Sequence, residues 1–358
     1  MDVLFRFSFA DLPIRGQWVR LQASLHAAGQ FRAYPPQASN LLGQMLASVA
    51  MIADNLKFSG AVALQSQGNG ALRRSLAECR RHTDLRGIMH LTDDASFPPS
   101  HQDIGAWLGQ GQLAITLLPD EETGMQPYQG LVALDHGDLA KCLEEYFARS
   151  EQLDTRLFFA GRTERDADQS VTGLLLQRLP IHPDASDAER DAAQDAWETL
   201  TALAATVTDA ELAALEAPTL LHRLFHEYPC TLQTAKRLQY ECTCTQDRTD
   251  HTLMMLGEDD LQALLIERGE ITVDCEFCGR RYRYEQADVD RVAEVGERRR
   301  HDLLEVVERA RREAELERRA ERHGSHGRDE PHPHERVVAG LVLLEERRGE
   351  GGLLHGAC

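Results

Sequence analysis

The sequence lacks the long hydrophobic run that a membrane-spanning helix requires. Nowhere in its 358 residues do about 18 apolar residues follow one another without interruption. The nearest candidate, 41–53, contains Gly43, Gln44 and Ser48, and we interpret it as a buried core helix. The first residues also lack the basic flank and the small-residue cleavage site of a signal peptide. We therefore expect a cytoplasmic protein with no membrane partner.

An excess of positive charge is also missing. The formal net charge is −19, and segment 291–336 holds twelve Arg against ten Glu and two Asp, so about −18 falls on residues 1–290. An acidic body repels phosphate backbones, because nucleic-acid affinity comes largely from Lys and Arg. We expect no nucleic-acid partner.

Signatures of catalysis are absent as well. The chain contains no G-x-S-x-G, P-loop or dinucleotide fingerprint. Glu144 and Glu145 could form a general acid/base pair, but neighbours on a helix point apart, and a solvated face is favoured. The sequence therefore does not indicate an enzyme.

The cysteines, in contrast, form an informative pattern. Four of its eight cysteines form two close pairs, Cys242-Thr-Cys244 and Cys275-Glu-Phe-Cys278, separated by thirty residues. In a reducing cytosol such pairs indicate metal or redox chemistry and not a secreted disulfide framework. Structural zinc prefers four tetrahedral thiolates. A domain of about 55 residues with few apolar side chains needs a stabilising element such as a metal site.

We therefore predict one Zn²⁺ per chain in the reduced state, bound by Cys242, Cys244, Cys275 and Cys278. Four unconnected thiols are the alternative. Gly279, directly after the second pair, would let the chain turn tightly around the sulfurs.

Other potential metal or redox residues have plainer interpretations. Asp247, Asp250 and His251 follow the first pair, but four thiolates already complete a tetrahedron, and a solvated loop is favoured. Cys142 is expected in the core, whereas Cys230 could join the redox chemistry. Four histidines near the end of the sequence could bind a second metal, but a disordered loop is favoured; they are His323, His326, His332 and His334. Cys358, the last residue, is expected to be a free thiol.

The pattern of apolar residues predicts an α+β fold. Period-two alternation and short apolar runs predict strands at 5–9, 17–21, 61–64, 113–118, 131–134, 156–159 and 173–176. Helical spacing predicts helices at 40–56, 72–79 and 138–149. Segment 184–216 has nine acids, one base and a narrow stripe of Trp197, Leu200, Ala204 and Val207, which indicates an amphipathic helix that depends on its neighbours. A short helix is predicted at 220–228, another at 258–267, strands at 271–273 and 281–284, and a solvated Arg/Glu helix at 292–322.

The same thiolates that bind zinc are the groups that peroxide and hypochlorous acid attack. If oxidation joined Cys242 to Cys244 and Cys275 to Cys278, the metal would lose all its ligands. A structural zinc contributes about 10–16 kcal/mol of coupled folding energy, which a disulfide closing so short a loop cannot replace. Oxidation would then unfold the cysteine domain, and the acidic connector could follow.

The cysteine arrangement resembles that of the thirty-three-kilodalton chaperonin family (HslO), a family of redox-regulated heat-shock chaperones. The resemblance covers about residues 4–290, and its most recognisable block runs from Tyr128 to Leu157. Further matching segments are 56–58, 65–70, 173–177, 221–227 and 269–275.

The resemblance implies three parts: an N-terminal α+β chaperone domain (1–180), a helical metastable linker (181–235) and a zinc-binding redox-switch domain (236–290). The rest of the chain departs from the family pattern, and we expect it to form a charged, flexible tail (291–358). The four zinc ligands carry over to Cys242, Cys244, Cys275 and Cys278, and the expected redox disulfides are Cys242–Cys244 and Cys275–Cys278. The reduced, zinc-bound monomer would be inactive. Oxidation would release zinc and favour a homodimer that holds unfolding client proteins without ATP. We expect truncation after about residues 284–290 to leave zinc content and oxidised activity nearly unchanged.

Two other classes remain open at this point. A structural-zinc interaction module would keep its metal and fold in peroxide at mildly raised temperature. A zinc enzyme would need an open coordination position, which four thiolates deny.

Overall fold

The structure, a computed structural model, describes residues 1–57, 59–92, 97–98, 103–162 and 169–323. It comprises two units, Met1–Thr243 and a second unit that begins at Cys244. The strands of the first unit are β1 (Val3–Phe9), β2 (Ile14–Leu21), β3 (Gly60–Gly68), β4 (Leu72–Arg80), β5 (Asp84–Leu91), β6 (Gly111–Pro119), β7 (Tyr128–Val132), β8 (Thr155–Arg162), β9 (Ser170–Arg178), β10 (Cys230–Leu232), β11 (Lys236–Arg237) and β12 (Gln239–Tyr240). Its helices are α1 (Ala23–Gly29), α2 (Pro36–Asn55), α3 (Ile104–Leu108), α4 (Leu139–Tyr146), α5 (Asp187–Ala204), α6 (Asp209–Ala214) and α7 (Ala217–Phe225).

Two sheets organise the first unit. Sheet A has the order β10-β1-β2-β9-β8, with β11 also paired to β1, and sheet B has the order β12-β5-β4-β3-β6-β7. Neighbouring strands are antiparallel except β12 and β5, which are parallel. The predicted α+β class is confirmed.

Helix α2 lies between the two sheets. It packs against β2 and β9 of sheet A and against β3, β4 and β5 of sheet B. Every residue from Ala38 to Asp54 is buried, as expected for a helix that is apolar on nearly all sides. The interpretation of 41–53 as a buried core helix is confirmed.

The opposite face of sheet A is covered by helices α5, α6 and α7. Side chains alternate along a strand, so Leu175 of β9 points to the α2 core while Leu174 and Leu176 point to the covering helices. The sheet contributes Phe7, Phe9, Ile14, Trp18, Leu174 and Leu176 to this second core, and the helices contribute Trp197, Leu200, Ala204, Leu212, Leu220, Leu221 and Phe225. β9 is thus buried on both faces, which explains its three consecutive leucines.

The acidic connector forms two helices where the sequence predicts one. Each begins with a capping box, Ser186 with Glu189 for α5 and Thr208 with Glu211 for α6. Such a box satisfies backbone donors at a helix start; the second one starts a new helix inside the predicted run. The predicted stripe of Trp197, Leu200 and Ala204 is buried.

The predicted helix at 72–79 is wrong, because these residues form β4. Leu72, Leu76 and Cys79 have helical spacing, but the strand pairs with β3 on one side and β5 on the other. Two ladders of backbone hydrogen bonds override the local pattern. Strand β5 and the short strands β10 to β12 were not predicted.

The second unit contains α8 (Gln246–Met254), α9 (Glu258–Arg268), a hairpin of β13 (Ile271–Asp274) and β14 (Arg281–Tyr284), and α10 (Gln286–His323). The predicted helices and strands of this region are confirmed. Helix α10 continues through 291–323, which confirms the helix predicted at 292–322; the flexibility expected of the tail 291–358 stays a prediction. Val289 and Val292 are fully buried, because α10 packs against α8 and α9. His326, His332, His334 and Cys358 lie outside the described residues, as does the side chain of His323.

A buried carboxylate at the end of α2 holds the strand that precedes the second unit. Asp54 accepts hydrogen bonds from Arg6 of β1 (2.5 Å), Lys236 of β11 (2.5 Å) and Gln17 of β2 (2.7 Å). Burial alone would raise the pKa of Asp54, but these hydrogen bonds outweigh it and hold the pKa below its ordinary value.

We predict that Asp54→Asn lowers the free energy of unfolding of the first unit by about 1–3 kcal/mol at neutral pH, because charge-assisted hydrogen bonds are lost. A depressed carboxyl pKa stabilises the fold above the unfolded-state pKa, and this contribution is lost as pH falls through the folded-state pKa. The difference between wild type and Asp54→Asn should therefore shrink under acid conditions. Urea titrations at neutral pH and below about pH 3 would measure it, with the exposed-site variant Asp195→Asn as control. A difference that stays constant with pH would contradict the role given to Asp54.

Candidate metal centre

Four cysteine sulfurs meet at one point of the structure. The Sγ atoms of Cys242, Cys244, Cys275 and Cys278 all lie within 4.8 Å of one another, and Cys244 Sγ lies 3.4 Å from Cys278 Sγ. Cys244 and Cys275 are buried, while Cys242 and Cys278 are partly buried. Tetrahedral zinc with Zn–S bonds of about 2.3 Å sets its sulfurs about 3.8 Å apart. The four thiols could therefore bind a metal ion with only small adjustments.

The second cysteine pair is positioned by a hairpin. Cys275 follows β13, and its N–H donates to Arg280 O (2.8 Å), while Gly279 N–H donates to Cys275 O (2.8 Å). Gly279 has φ +66°, a conformation that glycine adopts without strain. The tight turn predicted at Gly279 is thus present. Arg281 and Asp274 close the hairpin with two hydrogen bonds of 2.7 and 2.8 Å.

The first cysteine pair follows a segment that is attached to the first unit. Glu241 N–H donates to Leu85 O of β5 (2.8 Å). Thr243, the residue between the two cysteines, accepts a hydrogen bond from Arg86 Nη1 (2.7 Å). Arg86 is itself buried and donates to both carboxylate oxygens of Glu78 (2.9 and 3.1 Å). Sequence reasoning missed Arg86 and Glu78, because Thr243 is 157 residues away from Arg86 in the chain and no motif marks either residue.

The three described cysteines outside the cluster, Cys79, Cys142 and Cys230, are poorly suited to redox chemistry. Cys79 and Cys142 are fully buried, which confirms the core position predicted for Cys142. Burial raises the pKa of Cys79 to about 12 and that of Cys230 to about 11. At neutral pH these two thiols stay protonated, and the protonated form is a weak nucleophile.

Asp247, Asp250 and His251 lie on α8, so the solvated loop expected there is wrong. Asp250 is buried and accepts hydrogen bonds from Tyr284 (2.8 Å) and Arg291 (2.7 Å). Burial alone would raise its pKa, but these bonds outweigh it and lower the pKa. Within the described ranges, the four cysteines are the one group of three or more ligand-type side chains close enough to hold a metal.

The solvated face expected for Glu144 and Glu145 is also wrong. Only 18% and 14% of their side chains are exposed. Glu144 Oε1 accepts the backbone N–H of Leu157 in edge strand β8 (2.7 Å), and burial raises the pKa of Glu144. Glu145 pairs with His136 (2.6 Å) and Arg149. Glu144 thus attaches α4 to β8, and Glu145 attaches it to the residues just before and just after the helix.

Comparisons with known proteins fit this architecture. The family model described as Hsp33 protein matches residues 2–285. A 33 kDa chaperonin of Ectopseudomonas mendocina is 39% identical over 289 residues, covering 80% of this chain and 94% of that protein. A 33 kDa chaperonin of Nitrosococcus oceani is 35% identical, covering 81% and 94%. The crystal structure of a 33 kDa chaperonin (heat shock protein 33 homologue) from Thermotoga maritima shares the fold, with a TM-score of 0.69 at 22% identity over 82% of this chain and 98% of that one.

The fold and the relatives define a protein of the chaperone class. The chain belongs to the Hsp33 family, as the resemblance predicted. Family membership supports a chaperone function, and the relatives are named as chaperonins and not as enzymes. Among the described residues, no helix is both long enough and apolar enough to cross a membrane.

We predict that the reduced chain retains one zinc ion and that Cys275→Ser loses most of it, because three thiolates hold the ion less tightly than four. Zinc affinity should also fall as pH falls, since protons compete for the thiolates. Metal analysis after gel filtration under reducing conditions would measure the content. Cys230→Ser is the matched control, since it removes a thiol outside the cluster. Full zinc occupancy in the double variant Cys275→Ser/Cys278→Ser would rule out the four-thiolate site.

Proposed function

We propose that this chain is a redox-regulated, ATP-independent holdase of the cytoplasm, which binds unfolding proteins under oxidative and heat stress. In the reduced state one Zn²⁺ is bound by Cys242, Cys244, Cys275 and Cys278, and the chaperone is inactive. Oxidation forms the disulfides Cys242–Cys244 and Cys275–Cys278, releases zinc and favours a homodimer. The observation that carries the proposal is the convergence of four sulfurs in a member of a chaperone family.

The redox step needs only an oxidant of the peroxide class. Each disulfide forms when two thiols give up two electrons and two protons, and one hydrogen peroxide is reduced to two waters. All four sulfurs lie within 4.8 Å of one another, so every pairing is within reach of small movements. The proposed pairs are those closest in sequence, and they close the shortest loops.

Loss of zinc would remove the main support of the second unit. Its core has few large apolar side chains among its described residues, chiefly Leu253, Leu261, Leu265, Ile271, Phe277, Tyr282, Tyr284, Val289 and Val292. Zinc contributes about 10–16 kcal/mol to the folding of such small domains. A disulfide across one or two residues restrains the unfolded chain very little.

The segment between α7 and the first cysteine pair is suited to unfold after the cysteine region. Residues 230–240 run from α7 to the first cysteine pair and form only the short strands β10, β11 and β12 on the edges of the two sheets. Short edge strands are weakly held, and these depend on side-chain ties such as Lys236 to Asp54 and Gln239 to Asp84 (2.9 Å). Unfolding of the cysteine region would remove one end of this segment.

Release of α5, α6 and α7 would expose the outer face of sheet A. That face presents Phe7, Phe9, Trp18, Leu174 and Leu176, which are buried in the reduced fold. Phe225 of α7 lies against Phe9 with ring centroids 5.2 Å apart. A contiguous apolar surface of this kind can hold the exposed core segments of an unfolding client.

The direct test measures zinc release and client protection in one sample. We expect the reduced, zinc-loaded protein to leave the light scattering of a thermally denaturing client unchanged, and the peroxide-treated protein to release zinc and suppress the scattering. Zinc retention in peroxide at mildly raised temperature would favour the structural-zinc interaction module instead. Client protection by the reduced, zinc-loaded protein would exclude the switch.

We further predict that Trp197→Asp partly activates the chaperone while it is still reduced and zinc-loaded. Losing a buried Trp costs about 3–5 kcal/mol, and the new carboxylate would lie against the apolar face of sheet A. The exposed-position variant Asp191→Asn on the same helix should remain inactive.

In wild type, hydrogen exchange should show that oxidation removes protection from about 181–290 and spares most of 1–180. A connector that stays protected after zinc has left would contradict the coupling.

A further inference from the structure

A buried carboxylate joins the two halves of the metal centre at a distance from the sulfurs. Asp250 lies on α8, which begins two residues after Cys244. Its Oδ1 accepts the hydroxyl hydrogen of Tyr284 (2.8 Å), and Tyr284 ends β14, the strand that follows Cys278. One side chain thus connects the element after the first cysteine pair to the element after the second.

A third element is held by the same carboxylate. Arg291 of α10 donates to Asp250 Oδ2 (2.7 Å), and Gln246 donates to Oδ1 (3.2 Å). The Asp250 and Tyr284 side chains are buried, at 6% and 0% exposure. Hydrogen bonds to a buried, charged acceptor are among the stronger ones in proteins.

We infer that Asp250, Tyr284 and Arg291, here called the Asp250 clasp, position the two cysteine pairs for zinc and so set how readily the metal is lost. The inference rests on the proposed function for its biological meaning, but its chemistry concerns zinc retention alone. Without the clasp, the direct hydrogen bond between α8 and β14 would be lost, and the cysteine pairs would separate more easily. The clasp thereby raises the oxidant exposure needed to release zinc.

Two buried side chains of α10 strengthen the arrangement. Val289 and Val292 are at 0% exposure, on the helix that carries Arg291. The family match ends at residue 285, one residue before α10 begins. Removal of the chain from about residue 286 should therefore weaken zinc binding, contrary to the expectation that truncation there leaves zinc content nearly unchanged. A cut after α10 should not.

The test measures zinc in the full-length reduced protein, with no client present. Zinc dissociation into an excess of a chromophoric chelator should be about tenfold faster in Tyr284→Phe, which keeps the buried ring and removes one hydrogen bond. Asp250→Asn should be faster still, and Arg291→Lys should retain part of the wild-type behaviour. Asp247→Asn on the same helix and Arg298→Gln on α10 are matched exposed controls and should behave as wild type.

A double-mutant cycle separates positioning from general loss of stability. Tyr284→Phe and Asp250→Asn remove one shared interaction, so their effects on the zinc dissociation rate should be clearly less than additive. The peroxide concentration that releases half of the zinc should fall in the same order. Fully additive effects, or zinc dissociation at the wild-type rate in Tyr284→Phe, would overturn the inference.

The outcome is independent of chaperone activity. If zinc dissociates faster in the clasp variants but oxidised wild type protects no client, the clasp stands and the proposed holdase fails. If oxidised wild type protects the client while the clasp variants keep zinc as wild type does, the clasp alone is wrong. Should Asp250→Asn not fold, Tyr284→Phe and Arg291→Lys still decide the matter.

Discussion

Sheet A must bury both of its faces, and the arrangement of the first unit follows from this constraint. One face packs on α2, whose residues from Ala38 to Asp54 are all buried. The other face presents Phe7, Trp18 and Leu174, which α5 to α7 cover. Apolar burial stabilises by about 25 cal/mol per Å², so both layers are held by the same force. They differ in what supports them, since α2 is enclosed by two sheets whereas the covering helices lie on one sheet.

Because of that difference, the acidic connector can come away from sheet A more easily than α2 can. Helices α5 and α6 carry capping boxes at their starts and a single apolar stripe. Their exposed sides are rich in like charges, so much of their stability comes from sheet A and from the ends of the connector. A layer of this type can separate from a core that remains folded, which is the behaviour that a conditional chaperone requires.

The four clustered cysteines and the hydrogen bonds around them lie further along the chain than this connector. Arg86 and Glu78 hold Thr243, and Asp54 holds Lys236, so the segment before the sulfurs is tied to the first unit by buried charges. Beyond the sulfurs, Asp250 joins α8, β14 and α10. Zinc would supply the largest share of the energy in the second unit, and the Asp250 clasp would determine how easily that share is lost. Burial of a charged carboxylate is costly unless it is fully hydrogen-bonded, which is why each of these sites has two or more donors.

Local sequence patterns were sufficient to predict the α+β class, the buried helix over 41–53, the amphipathic connector and the four candidate ligands. These features are local, because a helical stripe, an apolar run or a C-x-x-C pair appears within a short window of residues. Tertiary structure alone decided that 72–79 is a strand, since only pairing with β3 and β5 overrides its helical spacing. It also decided the roles of Asp54, Arg86 and Asp250. These polar residues have hydrogen-bond partners 2.5 to 2.7 Å away in space yet 182, 157 and 41 residues away in the chain. No local pattern records such a partner, because the folded chain, and not the sequence around each residue, brings the charges together.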